Sequence, residues 1–387
     1  MLQHAKRTTR TLTSISSPYP LPPSLSPFLL PHFSERSLSS SSKRKPIKIV
    51  EVGPRDGLQN EKKLLSTELK VELIKRLVEA GCRDVEAGSF VAPKWVPQMA
   101  STPELLTSQT LSKLRESHSS LSLPVLVPNS RGLDSLFSLL DSHPSSGAPP
   151  LTNEIAVFVG CTDGFSKANL NCTVSESLSR LPSIVNRAHE RGLKVRGYVS
   201  TVLGCPFDGK VTPDQPARVA KELLNMGCYE VSLGDTIGVG VPSGWEGLVN
   251  ECEKLGVGAD KLAAHCHDTY GTALASILHC VKTLGISTID SSISSLGGCP
   301  YSPNSTGNVS TEDILYLLSC SHIPTTLIPN PMSSEELMES SEVFGKLCEV
   351  GEWISTELGR ENGSRVGKAW RGRKERQRML REKEKGI

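Results

Sequence analysis

Between residues 47 and 324 the sequence repeats one unit: a short apolar, β-branched run, a polar or glycine-rich turn, then a helical pattern. The runs fall at 47–52, 84–87, 124–127, 154–159, 194–199, 230–233, 262–265 and 288–293, eight in all. Strand–helix alternation predicts a parallel sheet, and eight units in this length predict an α/β fold of the closed (β/α)8 TIM-barrel type. An open doubly wound sheet is the alternative, but no Gly-x-Gly-x-x-Gly follows the first run. The first helix is signalled by Ser66 or Thr67 as cap and by Leu69, Leu73 and Leu77 at spacing four, with Gly81 as a left-handed stop. Ser, Pro and Gly between 141 and 153 mark an exposed insertion. Residues 325–368 lie beyond the eighth unit and are expected to form additional C-terminal helices packed on the 47–324 catalytic barrel.

In such a barrel the C-terminal ends of the strands build the active site, and there the polar residues of this chain collect. The first run ends in Gly53-Pro54-Arg55-Asp56-Gly57-Leu58-Gln59-Asn60, the second carries Glu86, and the fifth carries Arg196 and Tyr198. The sixth ends in Gly234-Asp235-Thr236 and the seventh in His265-Cys266-His267-Asp268. His265 and His267, two apart in a strand, face one side, so both imidazoles can reach one ion, with Asp56 completing the set. Such a mixed donor set suits Mg2+, Mn2+ or Zn2+. Arg55 reads either as half of a local salt bridge or as a fixed cation for a developing oxyanion. Glu86 and Asp235 read either as interior carboxylates bonded to Arg196 or as proton-transfer groups. Gln59, Arg196 and Tyr198 are expected, with Arg55, to contact substrate. The eighth run leads into Leu296-Gly297-Gly298-Cys299-Pro300-Tyr301. A thiol on a glycine-rich loop is poorly placed for packing and free to close over something. Beside a candidate metal site, it points to an enzyme that stabilises an anion and then protonates it.

Residues 1–46 are rich in Ser, Pro and Thr and basic, with Glu35 the only acid; this reads as a disordered organelle transit peptide, mitochondrial with plastid the alternative. Residues 369–387 form a basic tail whose charges alternate in sign. With a net charge of +2 over 387 residues, no nucleic-acid partner is expected. No apolar run approaches the roughly 20 residues of a membrane span. Eleven cysteines, none in a Cys-x-x-Cys pair, fit reduced, buried thiols better than a disulfide framework.

Over about 47–368 the chain resembles the 3-hydroxy-3-methylglutaryl-CoA lyase family. That family lies within the metallolyase barrels that include the isopropylmalate, homocitrate and citramalate synthases. The resemblance rests on Glu51-Val52-Gly53-Pro54-Arg55-Asp56-Gly57-Leu58-Gln59-Asn60-Glu61, on the stretch from Ser89 to Met99, and on Arg196-Gly197-Tyr198-Val199-Ser200. It continues through Ser232-Leu233-Gly234-Asp235-Thr236, His265-Cys266-His267-Asp268-Thr269-Tyr270-Gly271 and the Gly297-Gly298-Cys299-Pro300-Tyr301 loop. It implies a divalent ion, Mg2+ or Mn2+, held by Asp56, His265, His267 and Asn308. It further implies Arg55 stabilising a thioester enolate, Cys299 as mobile catalytic thiol, and Glu86 and Asp235 assisting proton transfer and substrate positioning, with His265 a possible base. The activity implied is metal-assisted retro-Claisen cleavage of a small acyl-CoA substrate by a homodimer. Three stretches depart from the family pattern: Ser294-Ser295 stand where Ala-Gly is usual, Gly88 where Thr is usual, and Asn304-Ser305-Thr306-Gly307 where Gly-Ala-Ser-Gly is usual. An acyl-CoA condensing synthase is the alternative, though the chain after 325 is short for a regulatory domain. A non-catalytic RNA-binding protein using the basic tail is the remote one.

Overall fold

The computed structural model describes residues 45–143, 147, 149–298 and 307–384. The leader therefore lies outside the described residues apart from its last two positions, as does Cys299. Eight parallel strands form one sheet: β1 (Lys48–Glu51), β2 (Gly88–Ser89), β3 (Val125–Leu126), β4 (Glu154–Gly160), β5 (Lys194–Ser200), β6 (Val231–Asp235), β7 (Leu262–Cys266) and β8 (Thr288–Ser291). Each strand pairs with its sequence neighbour from β2 to β8, and β8 pairs back onto β1. Glu51 N–H donates to Asp84 O (2.9 Å) and Glu86 N–H to Glu51 O (2.9 Å), which joins β1 to the segment just before β2. The expected second run at 84–87 thus makes that junction, while the regular ladder of β2 starts at Gly88, one residue beyond it.

Helices follow the strands as the periodicity predicts. Helix Thr67–Glu79 is capped by Ser66, whose hydroxyl accepts from Leu69 N–H, and it ends before Gly81 at φ +113°. Its Leu73, Ile74 and Leu77 are fully buried against the sheet. Within strands the two faces differ in kind. On β5, Val195 and Val199 turn outward into the helix-packed core, whereas Arg196 and Tyr198 turn into the barrel. Among the described residues the interior has a small apolar cluster, Leu126, Ala156 and Tyr198 with Phe158 packed against it, beside Glu86, Glu154, Glu230 and Asp290. A charged interior is tolerated only where each charge is paired and hydrogen-bonded, and that pairing shapes the site described next.

After β8 come helix Thr311–Cys320, the eighth of the barrel, and then, beyond it, helices Ser334–Ser340, Glu342–Leu358 and Arg365–Glu384. Phe344, Leu347 and Ile354 bury one face of Glu342–Leu358, and Trp370 anchors the start of the last helix. As far as Glu384 the basic tail is the largely exposed remainder of that last helix, with Arg371 paired to Glu352. No helix among the described residues is long and apolar enough to cross a membrane. The described cysteines are all free thiols, buried apart from the half-buried Cys320.

Candidate active site

Leaving β1, the chain winds one turn of π-helix, Gly53–Gly57, closed by Gly57 N–H on Val52 O (3.1 Å). Such single turns recur at functional sites. This one carries Arg55 and Asp56. The Arg55 guanidinium donates from Nη1 to Asp56 Oδ1 (2.7 Å), pairs through Nη2 with Glu86 Oε2 (2.7 Å), and lies 5.3 Å from the Tyr198 ring centroid. The local salt bridge read from the sequence is present, and it holds the Arg55 guanidinium in place. Asp56 Oδ1 also accepts from Gln59 Nε2 (2.8 Å), and Oδ2 accepts from Asn308 Nδ2 (2.8 Å). Burial disfavours the Asp56 anion, but Arg55, then His265 and His267, hold its carboxyl down to about 2.

On β7 and just beyond it, His265 and His267 turn to one side, ring centroids 5.5 Å apart, while Cys266 turns into the core. Donor atoms of Asp56, His265 and His267 lie within 4.8 Å of one another. His265 Nε2 is 3.6 Å from Asp56 Oδ2. His267 Nδ1 is buried with no hydrogen-bond partner, an uncommon and costly state for a polar atom. Burial, then His265, lowers the His267 pKa to about 4, so the imidazole is neutral and keeps a free lone pair. An anionic carboxylate, two imidazoles and one orphaned nitrogen fit a divalent cation. Asn308 joins them through an antiparallel bridge to His267, and its Nδ2 also donates to Leu296 O (3.2 Å).

Below this cluster lies a network that sequence reasoning saw only in part. Arg196 donates from Nε to Glu230 (2.8 Å), from Nη1 to Tyr198 Oη (2.9 Å), and from both terminal nitrogens to Asp290 (3.1 and 2.8 Å). Tyr198 Oη donates to Glu86 Oε2 (3.2 Å). Arg196 and Tyr198, expected to contact substrate, are thus committed to protein partners. Glu86, expected as an alternative to bond Arg196, bonds Arg55 and Tyr198 instead. Its Oε1 is buried without a partner, and burial against the opposing pull of Arg55 leaves its pKa raised. Asp235 accepts from Val239 N–H (3.1 Å) and Gly240 N–H (2.8 Å), and burial pushes it up to about 6. Asp290 was missed, although it is the lone charge in the run Thr288-Ile289-Asp290-Ser291.

The root of the Cys299 loop is clamped from two sides. Glu51 Oε1 accepts from Gly53 N–H (2.8 Å) and Ile293 N–H (2.9 Å), and Glu312 accepts from Ser294 N–H (3.0 Å) and Ser310 Oγ (2.8 Å). Neither carboxylate has a cation partner among the described residues, and burial raises them to about 7 and about 8. Ser294 and Ser295, the departure from Ala-Gly, sit at φ +55° and +53°. Their hydroxyls are used: Ser294 Oγ donates to Asn362 Oδ1 (3.0 Å), and Ser295 Oγ to Asn308 O (2.6 Å). Gly297 follows at φ +118°, and Gly298 O accepts from Asn60 Nδ2 (2.9 Å).

The HMGL-like family model matches residues 46–343. The chain is 46% identical over 324 residues to the mitochondrial hydroxymethylglutaryl-CoA lyase of Arabidopsis thaliana, covering 84% of this chain and 62% of that one. To the mitochondrial hydroxymethylglutaryl-CoA lyase of Bos taurus it is 43% identical over 337 residues, covering 86% and 93%. Among solved structures, the hydroxymethylglutaryl-CoA lyase of Pseudomonas aeruginosa superposes with a TM-score of 0.72 at 40% identity, covering 85% of this chain and 98% of that one. An HMG-CoA lyase from Acinetobacter baumannii, in complex with coenzyme A and 3-methylmalate, gives 0.69 at 27% identity, covering 84% and 95%.

Proposed function

The chain belongs to the HMGL-like family, and from that membership and the Asp56–His265–His267 cluster beside Arg55 we infer that it cleaves 3-hydroxy-3-methylglutaryl-CoA to acetyl-CoA and acetoacetate. The observation that carries this reading is the cluster itself, with its orphaned His267 nitrogen. A divalent ion, Mg2+ or Mn2+, held by Asp56, His265, His267 and Asn308 would act as a Lewis acid toward substrate oxygens. Arg55, fixed by Asp56 and Glu86, presents a permanent cation to the charge that develops on the thioester oxygen as the carbon–carbon bond breaks. The bonding pair passes to the thioester α-carbon. Glu86 Oε1, with its raised pKa and no hydrogen-bond partner, accepts the proton lost from the tertiary hydroxyl. Asp235 fixes the 238–240 turn at the barrel mouth and assists substrate positioning. Cys299 delivers a proton to the enolate carbon once its loop has closed and excluded water. Gln59 orients Asp56, and Tyr198 supports Arg55 and Glu86. Mitochondrial import through residues 1–46 and assembly as a homodimer belong to the same reading. The leader's composition and the mitochondrial relatives support the import.

The test uses the full chain with reductant and Mg2+ or Mn2+, adding 3-hydroxy-3-methylglutaryl-CoA and following acetoacetate. Product that a chelator abolishes and added metal restores is expected. No product from a folded, metal-loaded chain overturns the reading.

A further inference from the structure

Asp290 stands in β8 directly opposite His265 in β7, one strand away in register. It is 1% exposed, and nothing in the reaction described above uses it. Its Oδ1 accepts from Arg196 Nη2 (2.8 Å). Its Oδ2 accepts from Arg196 Nη1 (3.1 Å) and Ser232 Oγ (2.7 Å) and lies 3.2 Å from His265 Nδ1. An ionised carboxylate offers about four lone-pair sites, and these donors occupy them. Arg196 cannot swing away and release the carboxylate, because Glu230 and Tyr198 hold it from the other side.

An ionised carboxylate only accepts hydrogen bonds. The hydrogen bond between it and His265 therefore places a proton on Nδ1, so that Nε2 is the ring nitrogen left to bind an ion. Nε2 is the nitrogen that faces Asp56 Oδ2 at 3.6 Å. We propose that Asp290 is a positioning residue for the metal centre: it holds His265 in the Nδ1–H tautomer, with Nε2 aimed at the ion, and joins that ligand to Arg55. The join is a closed ring of side chains, all buried except the half-buried Asp56: Asp56–Arg55–Glu86–Tyr198–Arg196–Asp290–His265, in which each member touches the next. A ring of this kind sets the spacing between the ion and the Arg55 cation by packing rather than by one contact. It also leaves His265 without a free nitrogen while Nε2 is committed, which directs the proton-accepting role to Glu86. Carboxylates that orient a metal-bound histidine typically affect metal affinity by about 10- to 100-fold.

The inference rests on the metal-site reading above, and metal affinity tests it apart from turnover. Mn2+ binding to the metal-free full chain is measured by electron paramagnetic resonance for the wild type, Asp290→Asn, Ser232→Ala and Glu230→Gln. Asp290→Asn keeps the side-chain volume but loses the charge, and its Mn2+ dissociation constant should rise about 10- to 100-fold. Ser232→Ala removes one hydrogen bond to the same oxygen without stranding a buried charge; it should weaken binding about fivefold and serves if Asp290→Asn does not fold. Glu230→Gln weakens the other arm of Arg196 without touching His265 and should leave Mn2+ affinity within about twofold of wild type. Unchanged affinity in Asp290→Asn or Ser232→Ala, or an equal loss in Glu230→Gln, overturns the assignment while leaving the metal site standing. Absence of a Mn2+ site in the wild type overturns both.

Discussion

Replacing Glu312 by Gln should change how stability depends on pH. Glu312 is fully buried, accepts two hydrogen bonds at the root of the Cys299 loop, and has no cation beside it among the described residues. Burial raises its pKa from 4.5 to about 8. A carboxyl whose folded-state pKa is raised contributes its stability fully below the unfolded value, and loses it as pH climbs through the folded one. The folded state thus holds one more proton than the unfolded state between 4.5 and about 8. Each pH unit in that window costs about 1.4 kcal/mol, and the whole window roughly 5 kcal/mol. Gln cannot ionise, keeps the volume, and still offers an oxygen to Ser294 N–H. Denaturant unfolding of both proteins at pH 5.5 and pH 8 measures the difference. Wild type should lose about 3 kcal/mol relative to Glu312→Gln between the two. Parallel changes in the two proteins would refute the claim that Glu312 is protonated in the fold.

Arg55→Lys keeps a positive charge but loses the fork that spans Asp56 and Glu86, and should lower kcat by about 10²- to 10³-fold with little change in KM; steady-state kinetics decides it, and near-normal kcat would remove the oxyanion role. Cys299→Ala should keep Mn2+ affinity while losing about 10²- to 10⁴-fold in turnover, and full turnover in that variant would exclude the thiol as proton donor. Phe344→Ala, at a side chain with no exposed surface, should cost about 3–5 kcal/mol in global unfolding if the helices after 325 share the barrel core. A separate early transition would show that they fold independently.

The barrel was legible because its signals are periodic: alternating β-branched runs and helices closed by a cap such as Ser66 and a stop such as Gly81 act locally. The two-residue strand β2 was placed less well, its ladder starting at Gly88 just past the run at 84–87, whereas β3 falls inside the run at 124–127. Asp56, His265 and His267 could be picked out because alternation and strand-end position suffice to bring them together. The partners of Arg196 could not be read, because Glu230 and Asp290 come from two other strands and only the closed sheet reveals them. Glu51 and Glu312 were missed for a related reason. Each looks like a solvated acid in sequence, and burial by the loop root and the C-terminal helices turns it into a clamp.

The central claim is that Asp56, His265 and His267 hold an ion on which cleavage depends. Titrating the metal-free full chain with Mn2+, while recording both bound Mn2+ and acetoacetate formation, tests it most directly. One tight site per chain is predicted, with turnover rising in proportion to its occupancy and with both signals lost in Asp56→Asn. Turnover that persists without bound metal, or an Asp56→Asn protein that binds Mn2+ as tightly as wild type, would contradict it.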